Sequence, residues 1–426
     1  MSNEILARLA DMRGRSLDAM LASASPHSRR ALGATLEGRE LGCQEAEQLL
    51  SCTDADLGAL VAVADEVRRR RVGDAVSFVT TRNINFTNVC YMGCRFCGFA
   101  RRREDSDAYW IDFDEIAHRA QVAWDRGATE VCIQGGLHPQ LPPTYYRDLV
   151  LAVKQQVPRM HIHAFSPFEI WFGAQKRKLS AADFLLELKE AGLGSIPGTA
   201  AEILDIDIRR QLTRNKLTTE AWVDTVKAAH RMGLRSTSTM MYGHIDSPRH
   251  WAAHMGLLRD IQKETGGFTE FVPLGFVHAE APLYVEKVIP GVRAGATAGE
   301  HLRVHAVARL MLAGWIDNIQ VSWVKLGPEM AQALLNAGVN DMGGTLMDET
   351  ISRSAGANFG EELTPAEMVA LVRDCGRQPR RRSTLYDVLE TYDDHDPIDF
   401  GPLKPRAVEP IRFIRKAAHS SGALLV

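Results

Sequence analysis

Nowhere does this 426-residue chain hold the run of about 18 apolar residues that a membrane-crossing helix needs. The first residues, MSNEILARLADMRGR, also lack the apolar core of a secretory signal, so the expected location is the cytoplasm, with no membrane partner. Surplus positive charge is missing too. A net charge of −3 argues against a nucleic-acid partner, which needs a basic surface. Cysteine is sparse and odd in number, at seven, and without an export signal that excludes a disulfide framework. Cys43, Cys52, Cys132 and Cys375 are scattered and read as small buried hydrophobes.

What is present is a repeat. Residues 1–75 form a polar N-terminal helical extension. It includes TDADLGALVAVADEVRRRR, whose arginines suit a solvated helix C-terminus. From residue 76, short β-branched runs alternate with amphipathic helical stretches. The runs are VSFVTTRNINF, EVCIQGG, HIHAFS, GSIPGTA, STSTMMYG, FTEFVPLGF, NIQVSWV and the weaker VNDMGGT; the last helix, TPAEMVALVRDCG, ends near residue 376. Strand alternating with helix implies parallel strands with right-handed crossovers. Eight such units predict an α/β fold of the (β/α)8 TIM-barrel type over 76–376. A basic C-terminal extension, 377–426, is expected to pack on the barrel. Sites in such barrels gather where strands run into helices, which collects the unusual residues at one mouth.

The remaining three cysteines stand together in NVCYMGCRFCGFA, as Cys90, Cys94 and Cys97, directly after the first run. Thiolates bind zinc and iron–sulfur clusters. A closed zinc site wants a fourth ligand, which only a distant residue such as His138 or His163 offers. The other reading is a 4Fe–4S cluster held at three irons, its fourth iron open. Gly93 and Gly98 let the loop turn closely about such a cube, and Phe96 shields it.

C-x3-C-x2-C with an aromatic before the last cysteine resembles the signature of radical S-adenosylmethionine (SAM) enzymes. NINFTNVCYMGCRFCGFARR, CIQGGLHP, HIHAFSPFEI, GTAAEILD, STMMYGHID, FVHAEAPLY and NDMGGTLMDETISRSAGA resemble, more closely, the tyrosine-using half of the 7,8-didemethyl-8-hydroxy-5-deazariboflavin (FO) synthases. The aminofutalosine synthases of menaquinone biosynthesis share the cysteine loop, YGH and TGGF, and are the alternative. Gly275, Met342 and Asn358-Phe359 depart from the FO pattern.

The resemblance implies a radical SAM transferase of deazaflavin biosynthesis with a 4Fe–4S cluster and SAM as cofactors. SAM bound at the open iron would yield methionine and a 5′-deoxyadenosyl radical. The radical would act on L-tyrosine, whose Cα–Cβ bond breaks; the 4-hydroxybenzyl group joins C5 of 5-amino-6-(D-ribitylamino)uracil and 2-iminoacetate leaves. A reductant protein is an implied partner, and a second radical SAM subunit, or a fused domain elsewhere, would close the ring. The metal ligands would be Cys90, Cys94 and Cys97, with Gln134, Gly135, Gly136, Glu202 and Tyr242 at SAM. His163, Glu169, His244 and Glu280 are candidate bases or anchors near strand ends. Asn340, Asp341, Thr345 and Glu349, in and after NDMGGT, are candidates for the uracil and its polyol.

Overall fold

The computed structural model describes residues 15–213 and 215–393. β1 (Ala75–Val79) and β2 (Thr81–Asn85) are one extended run broken at Thr80. β2 begins a parallel sheet ordered β2-β3-β4-β5-β6-β7. Its members are β3 (Glu130–Gln134), β4 (His161–Ala164), β5 (Ser195–Ile196), β6 (Arg235–Tyr242) and β7 (Phe268–Gly275). β1 lies in a second sheet, ordered β10-β9-β1-β8, with β8 at Asp341–Gly344, β9 at Gln378–Arg382 and β10 at Val388–Thr391.

Two isolated parallel bridges join these sheets into a ring: Phe271 of β7 to Ile319, and Gln320 to Asp341 of β8. The run NIQVSWV thus fills its place in the barrel with bridges rather than a regular strand, because the chain turns into a short helix at Trp323–Leu326. The β1–β2 break is bridged from β8. Thr345 Oγ1 accepts from the Thr81 amide at 3.0 Å and donates to the Thr81 carbonyl at 2.9 Å. A Cβ on Gly344 would lie 2.2 Å from Thr81 Cγ2, so only glycine fits there. Thr345 is therefore a barrel-closing residue, which corrects its expected place against substrate.

Alternation along each strand separates two surfaces. Val131, Ile133, Ile162, Ala164 and Ile196 are fully buried in the hydrophobic core. Glu130, Cys132, Gln134, His161, His163 and Ser195 take the other, inward set of positions, where polar contacts join them. The scattered cysteines are less buried than expected: Cys43 is exposed, and Cys52, Cys132 and Cys375 are intermediate.

The N-terminal end of the barrel is filled from β9. Arg382, 4% exposed, donates to Asp341 at 2.6 and 2.9 Å and to Glu270 at 3.1 Å, while the Tyr386 hydroxyl donates to Glu270. Asp341 begins β8 and Asn340 precedes it. Asn340 Oδ1 accepts from Arg309 at 2.6 Å and from the Ile319 amide at 2.9 Å. Both residues were expected after the eighth strand; they lie at its start, at the closed end, and they bind the barrel rather than a ligand. Arg382→Ala would strand two buried carboxylates. It is expected to lower stability by about 3–5 kcal/mol, the usual loss when one partner of a buried charge cluster is removed; urea unfolding reads this directly.

Four helices, Leu17–Ser23, Pro26–Leu36, Cys43–Leu50 and Asp54–Val72, precede β1. Cys43–Leu50 and Asp54–Val72 pack on the barrel helices Pro248–Thr265 and Ala298–Leu312, and the first two helices pack on Asp54–Val72. Arg68 is not part of a solvated helix end: it is 1% exposed and paired with Asp65 at 2.8 Å and Asp74 at 3.1 Å. Among the described residues no helix is long and apolar enough to cross a membrane. Most of the C-terminal extension, 394–426, lies outside the described residues.

Candidate active site

The cysteine loop leaves β2 at the C-terminal mouth of the barrel and is pinned on several sides. The Cys90 amide donates to Arg101 O at 3.0 Å, the Arg101 amide to Asn88 O at 2.8 Å, and the Arg95 amide to Leu212 O at 3.0 Å. Leu283, from the loop after β7, closes over it by donating to Arg95 O at 2.6 Å. Two glycines let neighbouring chain approach the loop. A Cβ on Gly136 would stand 2.3 Å from Val89 O, and one on Gly98 would stand 2.6 Å from Ser354 O.

The three thiols sit together without converging. Burial, then Cys94, then more weakly Cys90, push the Cys97 thiol up to about 12, and burial also raises Cys90. Among the described residues no three His, Cys, Asp or Glu side chains are arranged to hold a single metal ion. His138 is committed elsewhere: its Nδ1 accepts from the Gln140 amide at 3.0 Å and its ring packs on Trp110. A 4Fe–4S cube takes each thiolate at a different iron and so asks for no such convergence. Its positive charge also supplies what these buried thiols need in order to ionise. The donor set therefore fits a three-ligated cluster.

Beside this loop, Gln134 ends β3, and its Oε1 accepts from Thr199 Oγ1 at 3.1 Å. The Gly135 and Gly136 amides are already used: the first donates to Glu169 Oε1 at 3.0 Å, the second to Thr87 O at 2.8 Å. Both glycines are needed for packing; a Cβ on Gly135 would strike the Phe86 ring at 2.6 Å. Glu169 is a helix cap. Its Oε2 accepts from the Ser166 amide at 2.8 Å and the Ser166 hydroxyl at 2.7 Å, so both oxygens are engaged. Burial raises its carboxyl to about 7. These bonds replace the expected role as a base.

The loop after β5 carries two strained residues, Ala200 at φ 60° and Glu202 at φ 46°. Left-handed conformations of residues with a Cβ persist only where neighbours over-determine them. Arg209, 2% exposed, does so by donating to the carbonyls of Ala201 and Leu217. The Met241 amide adds a bond to Glu202 O at 2.9 Å. Glu202 is held at the mouth with Oε1 paired to Lys216, whose ammonium lies 4.8 Å from the Phe96 ring centre. Its Oε2 has no hydrogen-bond partner among the described residues.

Two further expected residues are elsewhere. Tyr242 points between helices: its hydroxyl is 2.5 Å from His301 Nδ1 and its ring packs on Trp251. It does not face the mouth. His244 is fully buried, with Nε2 donating to Met241 O at 3.0 Å and Nδ1 accepting from the Ile245 amide at 2.7 Å. That leaves no nitrogen for a base. Glu280 sits in the loop after β7, its amide donating to Ala355 O at 3.0 Å. His163 faces the barrel interior, and burial lowers its ring to about 4, so the imidazole is neutral.

Sequence reasoning passed over Lys325. It follows the bridged segment, its Nζ donates to Ser352 Oγ at 2.7 Å, and Glu349, Glu202 and Cys97 surround its charge. Burial lowers its pKa, and the Glu349 and Glu202 carboxylates oppose the shift. Glu349 in turn accepts from the Ser352 amide at 3.0 Å through either oxygen. Lys325 is partly accessible from a cavity of about 220 Å³ that Gly275, His278, His301 and Phe359 also line. The lone lysine of VSWVKLG, just past an apolar strand, was the available signal.

Residues 84–258 match the Radical SAM superfamily, and residues 265–395 match the CofH/MqnC C-terminal region. The FO synthase of Mycobacterium leprae is 56% identical over 348 residues, 81% of this chain and 40% of that protein. The chain spans about 40% of the length of the FO synthases it matches. The 5-amino-6-(D-ribitylamino)uracil–L-tyrosine 4-hydroxyphenyl transferase of Methanothermobacter thermautotrophicus is 50% identical over 347 residues, 82% of this chain and 94% of that protein. Two solved structures share the fold alone. Methylornithine synthase (PylB) has a TM-score of 0.64 at 20% identity, covering 82% of this chain and 97% of its own. HydG from Carboxydothermus hydrogenoformans has 0.67 at 15%, covering 90% and 86%. With its three-cysteine loop at the mouth of a parallel barrel and half its aligned residues shared with that transferase, the chain belongs to the 5-amino-6-(D-ribitylamino)uracil–L-tyrosine 4-hydroxyphenyl transferase family of radical SAM enzymes, whose cofactors are a 4Fe–4S cluster and SAM.

Proposed function

We propose that this chain breaks the Cα–Cβ bond of L-tyrosine and transfers the 4-hydroxybenzyl group to C5 of 5-amino-6-(D-ribitylamino)uracil, in deazaflavin cofactor biosynthesis. 2-Iminoacetate, methionine and 5′-deoxyadenosine are the co-products. The observation that carries the reading is 50% identity to a transferase so named across 94% of that protein.

Cys90, Cys94 and Cys97 would hold three irons of the cluster, and Glu202 Oε2 would accept from a ribose hydroxyl of SAM. When bound, these cofactors supply a carbon radical able to take a hydrogen atom from substrate. The protein's own task is to place tyrosine and the uracil in reach of it and to manage protons. Lys325 anchors the tyrosine carboxylate, with Ser352 and Glu349 fixing the ammonium. The neutral imidazole of His163 accepts a proton from the tyrosine ammonium, leaving an amine from which hydrogen is abstracted. Asn85 and Thr199, polar groups near the end of the same strands, suit the uracil edge and polyol, with Gln134 between them at SAM. A single cysteine triad serves one radical reaction, so ring closure is left to a second radical SAM unit, separate or fused, and a reductant protein delivers the electron.

Anaerobic incubation with dithionite, SAM and each substrate pair tests this. Tyrosine consumption that depends on the ribitylaminouracil is expected. Turnover only with the substrate of an aminofutalosine synthase would assign the chain to that reaction instead.

A further inference from the structure

A chain of hydrogen bonds runs along the inner face of β4 and β5. His163 Nδ1 and His161 Nε2 each lie 2.7 Å from Ser195 Oγ. The two histidines are two residues apart on β4, so alternation turns both rings to the same side. Ser195 is the register partner of His163 on β5 and is 1% exposed. One buried hydroxyl thus links two imidazoles. His163 is the last inward residue of β4. Its Nε2 has no hydrogen-bond partner among the described residues. His161 opens the same strand at the opposite end of the barrel and is partly exposed.

We propose that His163 is the base that deprotonates the amino-acid substrate, and that Ser195 and His161 carry the proton along β4 and β5 to water beside the partly exposed His161. This rests on the reaction proposed above, in which the tyrosine amine must become neutral. The N–H bond of the substrate ammonium breaks and His163 Nε2 gains the proton. His163 passes its Nδ1 proton to Ser195 Oγ, and the Ser195 hydroxyl proton moves to His161 Nε2. His161 Nδ1 then releases a proton to solvent. No electrons are gained or lost; the net result is a neutral amine inside and one proton outside. The resting relay requires Nδ1–H on both rings, with both Nε2 atoms as acceptors.

The charges around the relay suit transfer rather than storage. Glu130 and Cys132 on β3 and Arg382 on β9 face His163; Glu130 and Lys154 face His161. Burial outweighs Glu130 at both rings and lowers each, so neither retains a proton near neutrality. The competing account is that Ser195 merely satisfies two core histidines. That role would orient the rings and stabilise the barrel but would move no proton.

The test compares wild type with Ser195→Ala and His161→Gln in the reconstituted holoenzyme, supplied with tyrosine and the ribitylaminouracil. If the relay operates, kcat falls by about 10²-fold, the scale of general acid–base catalysis. KM for tyrosine changes little, kcat rises with pH in the variants as hydroxide substitutes for the relay, and the curved proton inventory of wild type in H2O/D2O mixtures becomes linear. Wild-type kcat and proton inventory in Ser195→Ala would overturn the proposal. Nitrogen-15 imidazole spectra judge the relay separately from the reaction. Nδ1–H on His161 and His163, lost from His163 in Ser195→Ala, supports it even if wild type fails to couple the two substrates. Nε2–H on His163 in wild type overturns it.

Discussion

Cys97→Ala is expected to leave anaerobic reconstitution with little cluster iron and to form almost no 5′-deoxyadenosine. Losing an outer-shell partner of a metal commonly costs roughly 10–100-fold, so losing a direct ligand should exceed that range. The physical reason lies in the thiol's surroundings. Burial and the neighbouring sulfurs hold Cys97 protonated, with a pKa of about 12, unless a metal charge offsets them. Alanine removes both the ligand and the group whose ionisation the cluster drives. Cys43→Ala, on an exposed cysteine in the N-terminal helices, should reconstitute like wild type. Iron analysis and chromatography of the nucleoside check both. A native rate of 5′-deoxyadenosine formation in Cys97→Ala would contradict the ligand assignment.

Lys325→Met should cut kcat/KM for tyrosine by about 30- to 1,000-fold, the range of 2–4 kcal/mol seen when one partner of a desolvated charge pair is truncated. Methionine keeps most of the length and apolar volume of lysine but loses the ammonium. The tyrosine carboxylate would then have no cation at its anchor, while Glu349 and Glu202 would remain with one positive neighbour fewer. Both effects repel an anionic group. The tyrosine KM should therefore rise more than that of the uracil, which carries no carboxylate. Steady-state kinetics with each substrate varied in turn checks this; an unchanged tyrosine KM would remove Lys325 from the anchor.

The barrel was legible because its period is a property of the chain: β-branched runs, amphipathic helices, and glycines such as Gly192 and Gly266 that close helices at positive φ. The cysteine loop was legible because its ligands are local. Register was not legible. NDMGGT looks like a loop after a strand, yet Asp341–Gly344 is the strand, which moves Asn340 and Asp341 to the closed end. Direction was not legible either. Tyr242 and His244 follow the pattern of a mouth, but one faces the helices and the other turns its ring onto its own backbone. Lys325 and Arg382 escaped notice because long-range partners give them meaning: Ser352 and Glu349 in one case, Asp341 and Glu270 in the other.

The transfer itself is tested most directly by one isotope experiment. Anaerobic turnover is run with uniformly carbon-13-labelled tyrosine, unlabelled SAM and the ribitylaminouracil, and the products are weighed by mass spectrometry. The expected adduct carries the seven ring and benzylic carbons of tyrosine, with the other two in glyoxylate formed when 2-iminoacetate hydrolyses. An adduct retaining all nine labelled carbons, or labelled glyoxylate with an unmodified uracil, would contradict transfer by Cα–Cβ cleavage.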